Sequence, residues 1–273
     1  MREFKCGKYR LKLDRRTYVM GILNITPDSF SDGGDWFTLN NAVSRALQIQ
    51  DEGADIIDIG AQSTRPGSLT ITEKEETARL LPVLEALKGE LHIPVSVDTF
   101  FPGTAREALR LGADIINDVT GFEESAMLRL VSQNDCGCIL MHPGSKKYPN
   151  GVVKDVRDYL MKGALRLKMA GVEGERICLD PGIGFSVTEE ECLELIRNTD
   201  KIKIQEFAYL VGASRKRFIG KACDEPEPKN RLAGTVAVHT AVQLMGADIL
   251  RVHDVKEAVQ ACRMTDAIKY GFS

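Results

Sequence analysis

Residues 94 to 120 read PVSVDTFFPGTAREALRLGADIINDVT, and this one stretch contains the unit from which the fold is built. PVSVDT is short, apolar and β-branched, as a strand covered on both faces should be. PGTAREALRLG then places apolar residues every three to four positions, with proline at its start and glycine at its end, the asymmetry expected of a helix. DIINDVT opens the next strand.

The same unit repeats in both directions. Apolar runs occur at 18–26, 55–64, 94–99, 114–120, 136–142, 177–182, 207–214 and 247–254, eight in all. Between them lie amphipathic stretches such as NNAVSRALQIQDEG (40–53) and TEKEETARLLPVLEALKG (72–89). Gly53, Gly112 and Gly246 each close a helix and precede Ala-Asp and a strand, the position where a left-handed C-cap belongs. Eight strand and helix pairs predict an α/β fold of the (β/α)8 TIM-barrel type, which needs about 250 residues. The chain has 273, so one barrel over residues 1–273 accounts for it. An open Rossmann-type sheet is the alternative, but no G-x-G-x-x-G follows the first strand. Residues 1–17 form an extension in which FKCGKYRLKL (4–13) alternates around Gly7, suggesting a hairpin that plugs the barrel's N-terminal mouth.

Composition excludes several classes. With 43% hydrophobic and 27% charged residues the chain can bury a substantial core. A formal charge of -3 offers nucleic acid no global attraction. No run approaches the roughly 18 apolar residues of a membrane span, and the N-terminus lacks a signal-peptide core, so a cytoplasmic location is expected. The seven cysteines lack zinc or disulfide spacing; Cys136 and Cys138, alternating along one run, read as core residues more readily than as a redox pair.

Function is expected where the strands end. A polar residue inside a buried strand costs roughly 1–3 kcal/mol unless partnered, yet Asn24, Asp58, Asp98, Asn117, His142, Asp180, Arg251 and His253 all lie in or near the C-terminal halves of their runs. In a barrel those positions converge on one pocket. One shared ligand explains the set, although Asp58, deep within DIIDIG, reads at least as well as a satisfied structural residue. Asp98, Asn117 and Asp180 suit a flat heterocycle with N–H and amino groups. Arg215, Lys216 and Arg217, with Arg251 and His253, bring positive charge to strands seven and eight, the usual phosphate corner of such barrels. Asn24 offers a neutral oxygen to a magnesium ion held with a phosphate. Two long segments, 27–40 and 64–73, follow strands one and two on this same face.

Taken together, GILNITPDSFSDGG (21–34), DIGAQSTRPG (58–67), SVDT (96–99), INDVTG (116–121), DPGIGF (180–185), GASRKRFIG (212–220) and RVHDV (251–255) resemble the dihydropteroate synthase family of folate biosynthesis, in family order and over almost the whole chain. The resemblance implies a cytoplasmic, homodimeric, sulfonamide-sensitive transferase joining a dihydropterin diphosphate to 4-aminobenzoate, with magnesium. It implies that Asp98, Asn117, Met141, Asp180, Gly212 and Lys216 receive the pterin. Asn24, Thr64, Arg251 and His253 would receive the diphosphate, Asn24 also meeting the metal. Thr64, Arg65, Pro66, Phe185, Lys216 and Arg217 would receive the aminobenzoate. Lys216, Arg251, His253 and Asp98 are the implied catalytic set.

The dimer would form through the late helices, where DVKEAVQACRMTDAIKY (254–270) has apolar residues at helical spacing. Segments 28–35 and 63–70 would order over the diphosphate. Three places depart from the family pattern: Gln62 where Glu is usual, Ser186 and Val187 where Gly and Lys are usual, and MHPGSKKYP (141–149). A pterin-dependent methyltransferase, or a pterin-binding paralogue without activity, are the competing readings; the first has no leaving diphosphate to neutralise.

Overall fold

The computed structural model describes residues 2–25, 35–62, 71–145, 147–185 and 188–272, with 35–38 by backbone alone. An antiparallel hairpin of β1 (Glu3–Cys6) and β2 (Tyr9–Lys12) comes first. The barrel strands follow as β3 (Tyr18–Asn24), β4 (Ile56–Gly60), β5 (Val95–Asp98), β6 (Ile115–Asp118), β7 (Gly137–Met141), β8 (Ile177–Asp180), β9 (Ala208–Val211) and β10 (Ile249–Val252). They pair in parallel and in sequence order, and β10 closes on β3. Around them run α1 (Asp35–Asp51), α2 (Glu73–Leu87), α3 (Pro102–Leu111), α4 (Ser125–Ser132) and α5 (Val152–Met169). The second half adds α6 (Glu189–Arg197), α7 (Thr199–Ile202), α8 (Arg217–Ala222), α9 (Leu232–Leu244) and α10 (Val255–Tyr270).

The expected barrel is therefore present, with strands shorter than the apolar runs. The last residues of each run leave the ladder to start a loop. One helix begins earlier than expected: α1 starts at Asp35, inside the stretch 27–40 expected to be a loop. Leu39 extends the apolar stripe of Ala42, Ala46 and Ile49 by one more turn onto the core, which is reason enough for the helix to continue. The start of α2 is set by a capping box in which Thr72 and Glu75 satisfy one another's backbone. The three glycines before Ala-Asp have φ of +96°, +104° and +106° at Gly53, Gly112 and Gly246, so each ends its helix in the left-handed region that a Cβ disfavours.

Two apolar layers follow from the period of two along each strand. Val19, Ile57, Ile116, Leu140, Leu179, Val211 and Leu250 face outward into the shell shared with the helices. Cys136 and Cys138 are buried in that shell as ordinary core residues. Met20, Ile56, Ile115, Ile139, Cys178, Leu210 and Ile249 face inward, where they meet Phe4, Cys6 and Leu11 of the hairpin. The hairpin thus plugs the barrel's N-terminal end.

A buried ion cluster fastens that plug. Asp248, at the foot of β10, receives both Nη atoms of Arg2 at 3.1 and 2.9 Å, Lys203 Nζ at 3.0 Å and the backbone N–H of Tyr209 at 3.0 Å. Lys203 and Asp248 are each only 4% exposed. Asp248→Ala would leave Lys203 charged and unpaired in the interior, so we expect a loss of about 3–5 kcal/mol, read from urea unfolding. An unchanged midpoint would show that the cluster does not hold the plug.

Candidate active site

On β4, β6, β8 and β10 the inward face changes from apolar to polar one step up the strand. Two residues beyond Ile56, Ile115, Ile139, Cys178, Leu210 and Ile249 stand Asp58, Asn117, Met141, Asp180, Gly212 and Arg251. Period two keeps each on the inside of the barrel, and parallel register sets Asp58 beside Ser96, Asp98 beside Asn117 and Met141 beside Asp180. Strand-end position alone thus assembles a ring of side chains at the C-terminal mouth.

Asp58 is the hub of that ring. It is 0% exposed. Its Oδ1 accepts from Ser96 Oγ at 2.6 Å, and its Oδ2 accepts from Asn117 Nδ2 at 3.2 Å and Arg251 Nε at 2.6 Å. The structural reading of Asp58 is the one the contacts support. Arg251 also donates from Nη2 to Asp98 Oδ2 at 2.9 Å. The Arg251 guanidinium is held strongly protonated: burial works against its charge, but Asp58, Asp98 and Asp180 more than offset this.

The two remaining carboxyls are poised near neutrality. Burial pushes Asp98 up to about 7 against the pull of Arg251, with Asp58 adding to the rise. Burial raises Asp180 to about 6, opposed by the Gly182 N–H that reaches its Oδ1 at 2.8 Å and by Arg251 and Lys216. Such groups can accept from a ring N–H or retain a proton as the ligand demands.

The rim is built from loops. The turn after β8 folds back with Phe185 N–H on Gly182 O at 2.9 Å, and Lys216 Nζ lies 4.4 Å from the centre of the Phe185 ring. Gly182 and Gly144 hold this turn against the β7–α5 loop. At φ of +71° and +87°, a Cβ on either would stand 2.1 Å from His142 O or 2.0 Å from Phe185 O. His253 lies just beyond β10 with Nδ1 3.0 Å from Ser214 Oγ. Asn24 ends β3 half-buried. At Gly212 an added Cβ would meet Arg251 at ordinary contact distance, 3.6 Å, so the glycine leaves that flank of the arginine without a side chain.

Two expectations need correction. His142 does not join the pocket: one residue past Met141, it faces the helix layer, edge-on to Tyr159 at 4.9 Å, with Nδ1 accepting from Gly144 N–H. Burial drives its pKa down to about 4, so it is neutral at physiological pH. Arg215 is not available to an anion, because Asp254 binds it through both Nε and Nη2. Arg217 opens α8 with its side chain 77% exposed and 3.7 Å from Glu189. Gln62 spans the base of the second loop, its Oε1 accepting from Ile71 N–H at 3.0 Å. Thr64, Arg65, Pro66, Ser186, Val187, residues 28–34 and the whole of segment 63–70 lie outside the described residues.

Ser96 and Ser214 hydrogen-bond to Asp58 and His253, and the sequence reading passed over both. Ser96 was legible, two residues before Asp98 on the same face. Ser214 was not, because its contact to His253 joins two strand ends.

Comparison with known proteins places these features in a family. The family described as "Pterin binding enzyme" matches residues 20–253. The dihydropteroate synthase of Synechocystis sp. is 44% identical over 262 residues, covering 93% of this chain and 91% of that protein. The Xanthomonas albilineans dihydropteroate synthase solved with 4-aminobenzoic acid superposes with a TM-score of 0.93 at 38% identity, covering 99% of each chain. A Yersinia pestis dihydropteroate synthase solved as a sulfonamide drug complex superposes with a TM-score of 0.90 at 34% identity, covering 98% of this chain and 99% of that one.

Proposed function

Since this chain belongs to the pterin-binding enzymes and, among them, to the dihydropteroate synthases, we propose that it condenses 6-hydroxymethyl-7,8-dihydropterin diphosphate with 4-aminobenzoate, giving 7,8-dihydropteroate and diphosphate. The observation that carries this is the ring of Asp98, Asn117 and Asp180 set against Arg251 at the barrel mouth. Carboxyls on an apolar background receive the pterin's N–H and amino groups, and the guanidinium beside them receives the leaving group.

Asp98, Asn117, Asp180 and Lys216 bind the ring, with Met141 against its face and Gly212 leaving room for it. Arg251, His253, Asn24 and Thr64 bind the diphosphate. The arylamine takes the rim, between Phe185, Lys216 and Arg217 on one side and Thr64, Arg65 and Pro66 on the other. The bond from the pterin methylene to oxygen breaks first, its electron pair leaving with the diphosphate while the electron-rich ring carries the positive charge. Arg251 and His253 stabilise the charge that grows on the departing oxygens. The neutral amine nitrogen then bonds to the methylene and releases its proton to solvent or to the diphosphate. No strong general base is needed, consistent with a pocket whose carboxyls are engaged in binding.

The donor set suits magnesium that arrives with the substrate. Asn24 supplies one neutral oxygen at the mouth, and among the described residues no group of three His, Cys, Asp or Glu forms a cage for a metal. Asn24 would hold such an ion, which would supply charge neutralisation for the leaving group when bound.

The test is diphosphate release from the pterin substrate by purified protein, with and without magnesium and 4-aminobenzoate. Magnesium-dependent release matched by dihydropteroate is expected. Substrate binding with no release from folded protein would leave a paralogue without activity.

The rim yields a sharper expectation. Gly144→Ala forces the β7–α5 loop off the Phe185 carbonyl, so the KM for 4-aminobenzoate should rise between about tenfold and a hundredfold while pterin diphosphate affinity stays near its original value. Steady-state kinetics with each substrate varied in turn would expose an equal loss for both, which would remove Phe185 from the amine site.

The protein is also proposed to be a homodimer. Val255, Ala258, Val259 and Cys262 of α10 face the barrel, but Met264 and Ile268 on the same helix remain 57% and 69% exposed. Sedimentation at the monomer mass at micromolar concentration would exclude this assembly. Among the described residues no helix is long and apolar enough to cross a membrane.

A further inference from the structure

Arg251 is held at two points of unequal character. Its Nε meets Asp58, which is fully buried and already carries Ser96 and Asn117, so that end is fixed in a finished hydrogen-bond network. Its Nη2 meets Asp98, at the last residue of β5, one step nearer the mouth.

Glycines flank the outer side. Gly60, the inward residue after Asp58 on β4, offers no side chain beside Asp98; a Cβ there would stand 3.4 Å from Asp98 Cβ. Gly212 on the other flank leaves the Arg251 shaft uncovered, with a Cβ there only 3.6 Å from Arg251 Cβ and 3.9 Å from its Cδ. The arginine is therefore anchored below by Asp58 and flanked above by glycines rather than side chains.

Resting on the reading of the site given above, we propose that Asp58 is a positioning residue that makes Arg251 a hinged arm. Asp58 keeps Nε while the Nη end passes from Asp98 to an incoming diphosphate, and the same movement releases Asp98 to the pterin ring. Diphosphate and pterin binding are then coupled through one side chain. Asp98 tolerates the exchange because burial already raises its proton affinity, so loss of the arginine can be met by a proton. Asp58 itself touches neither ligand: Ser96, Asn117 and Arg251 enclose its carboxylate.

The experiment is a double-mutant cycle by titration calorimetry, with inorganic diphosphate as the probe in magnesium-containing buffer. Asp58→Asn should weaken diphosphate binding about tenfold in the native protein and by less than about twofold when Arg251 is already alanine. Losses that add in the two backgrounds would overturn the hinge, since a merely structural defect does not depend on Arg251. A second measurement needs no variant. Saturating diphosphate should raise the affinity of the native protein for 6-hydroxymethylpterin by about threefold or more, and an unchanged affinity would also overturn it. Diphosphate release by the native protein is assayed alongside. If that activity is absent, the synthase reading fails and the hinge with it; if it is present while the losses add, only the role of Asp58 falls.

Discussion

Replacing Arg251 by alanine is expected to lower kcat/KM by about two to three orders of magnitude, the usual consequence of deleting one preorganised donor from a developing oxyanion. The effect should fall mainly on turnover, because the guanidinium meets charge that grows as the diphosphate leaves. Stability should fall too, because Asp58 and Asp98 lose their shared cation. Breaking a buried pair from one side can cost about 3–5 kcal/mol, but Asp58 keeps Ser96 and Asn117, and Asp98 can take up a proton. Without Arg251 the folded-state pKa of Asp98 moves further above its ordinary 3.8 than the present value of about 7. A group raised in this way contributes its full stability at low pH and loses it as pH rises through the folded value. The melting temperature of Arg251→Ala should therefore lie furthest below that of the native protein at pH 8 and approach it at pH 5. A variant retaining a near-native rate would take Arg251 out of the mechanism.

Asp180→Asn is expected to separate function from stability. The amide can still accept the Gly182 N–H but cannot offer a carboxylate to the pterin's N–H and amino groups, so kcat/KM should drop by about two to three orders of magnitude. At the same time an uncharged group replaces one whose ionisation burial opposes. Asp180 titrates at about 6 in the folded chain against 3.8 ordinarily, so its contribution to stability is complete below about pH 4 and lost as pH rises through 6. The substitution should stabilise the protein at pH 8 by on the order of 1–3 kcal/mol, with the gain disappearing near pH 4. Calorimetric unfolding across that range checks the sign. A destabilised variant at pH 8 would mean that Asp180 is structural, and the pterin assignment would go with it.

Lys216 and His253 belong to the same charge-bearing corner, but each is tied to a loop partner, Phe185 and Ser214 respectively. Their substitution mixes loop position with electrostatics, which is why Arg251 and Asp180, both set in strands, are the cleaner probes.

What the sequence by itself determined follows from local periodicity. Eight apolar runs alternating with amphipathic stretches, with glycine before each Ala-Asp, specify the strands and helices and their order, and polar residues in the C-terminal halves of those runs mark the barrel mouth. That is why Asp98, Asn117, Asp180 and Arg251 were legible as one set before any coordinates. His142 and Arg215 were not separable from that set by pattern. A strand end shows alternation only up to its last paired residue, and beyond it the loop decides which way a side chain turns. Barrel closure decided the rest. Arg251 reaches Asp58 and Asp98 across 193 and 153 residues of chain, and no local pattern records that β10 returns to lie beside β3. Burial of that meeting point is the largest cause of the raised proton affinities of Asp98 and Asp180, with the Asp58 carboxylate adding to both, and a carboxyl's charge is disfavoured in this way once the surrounding strands have excluded water.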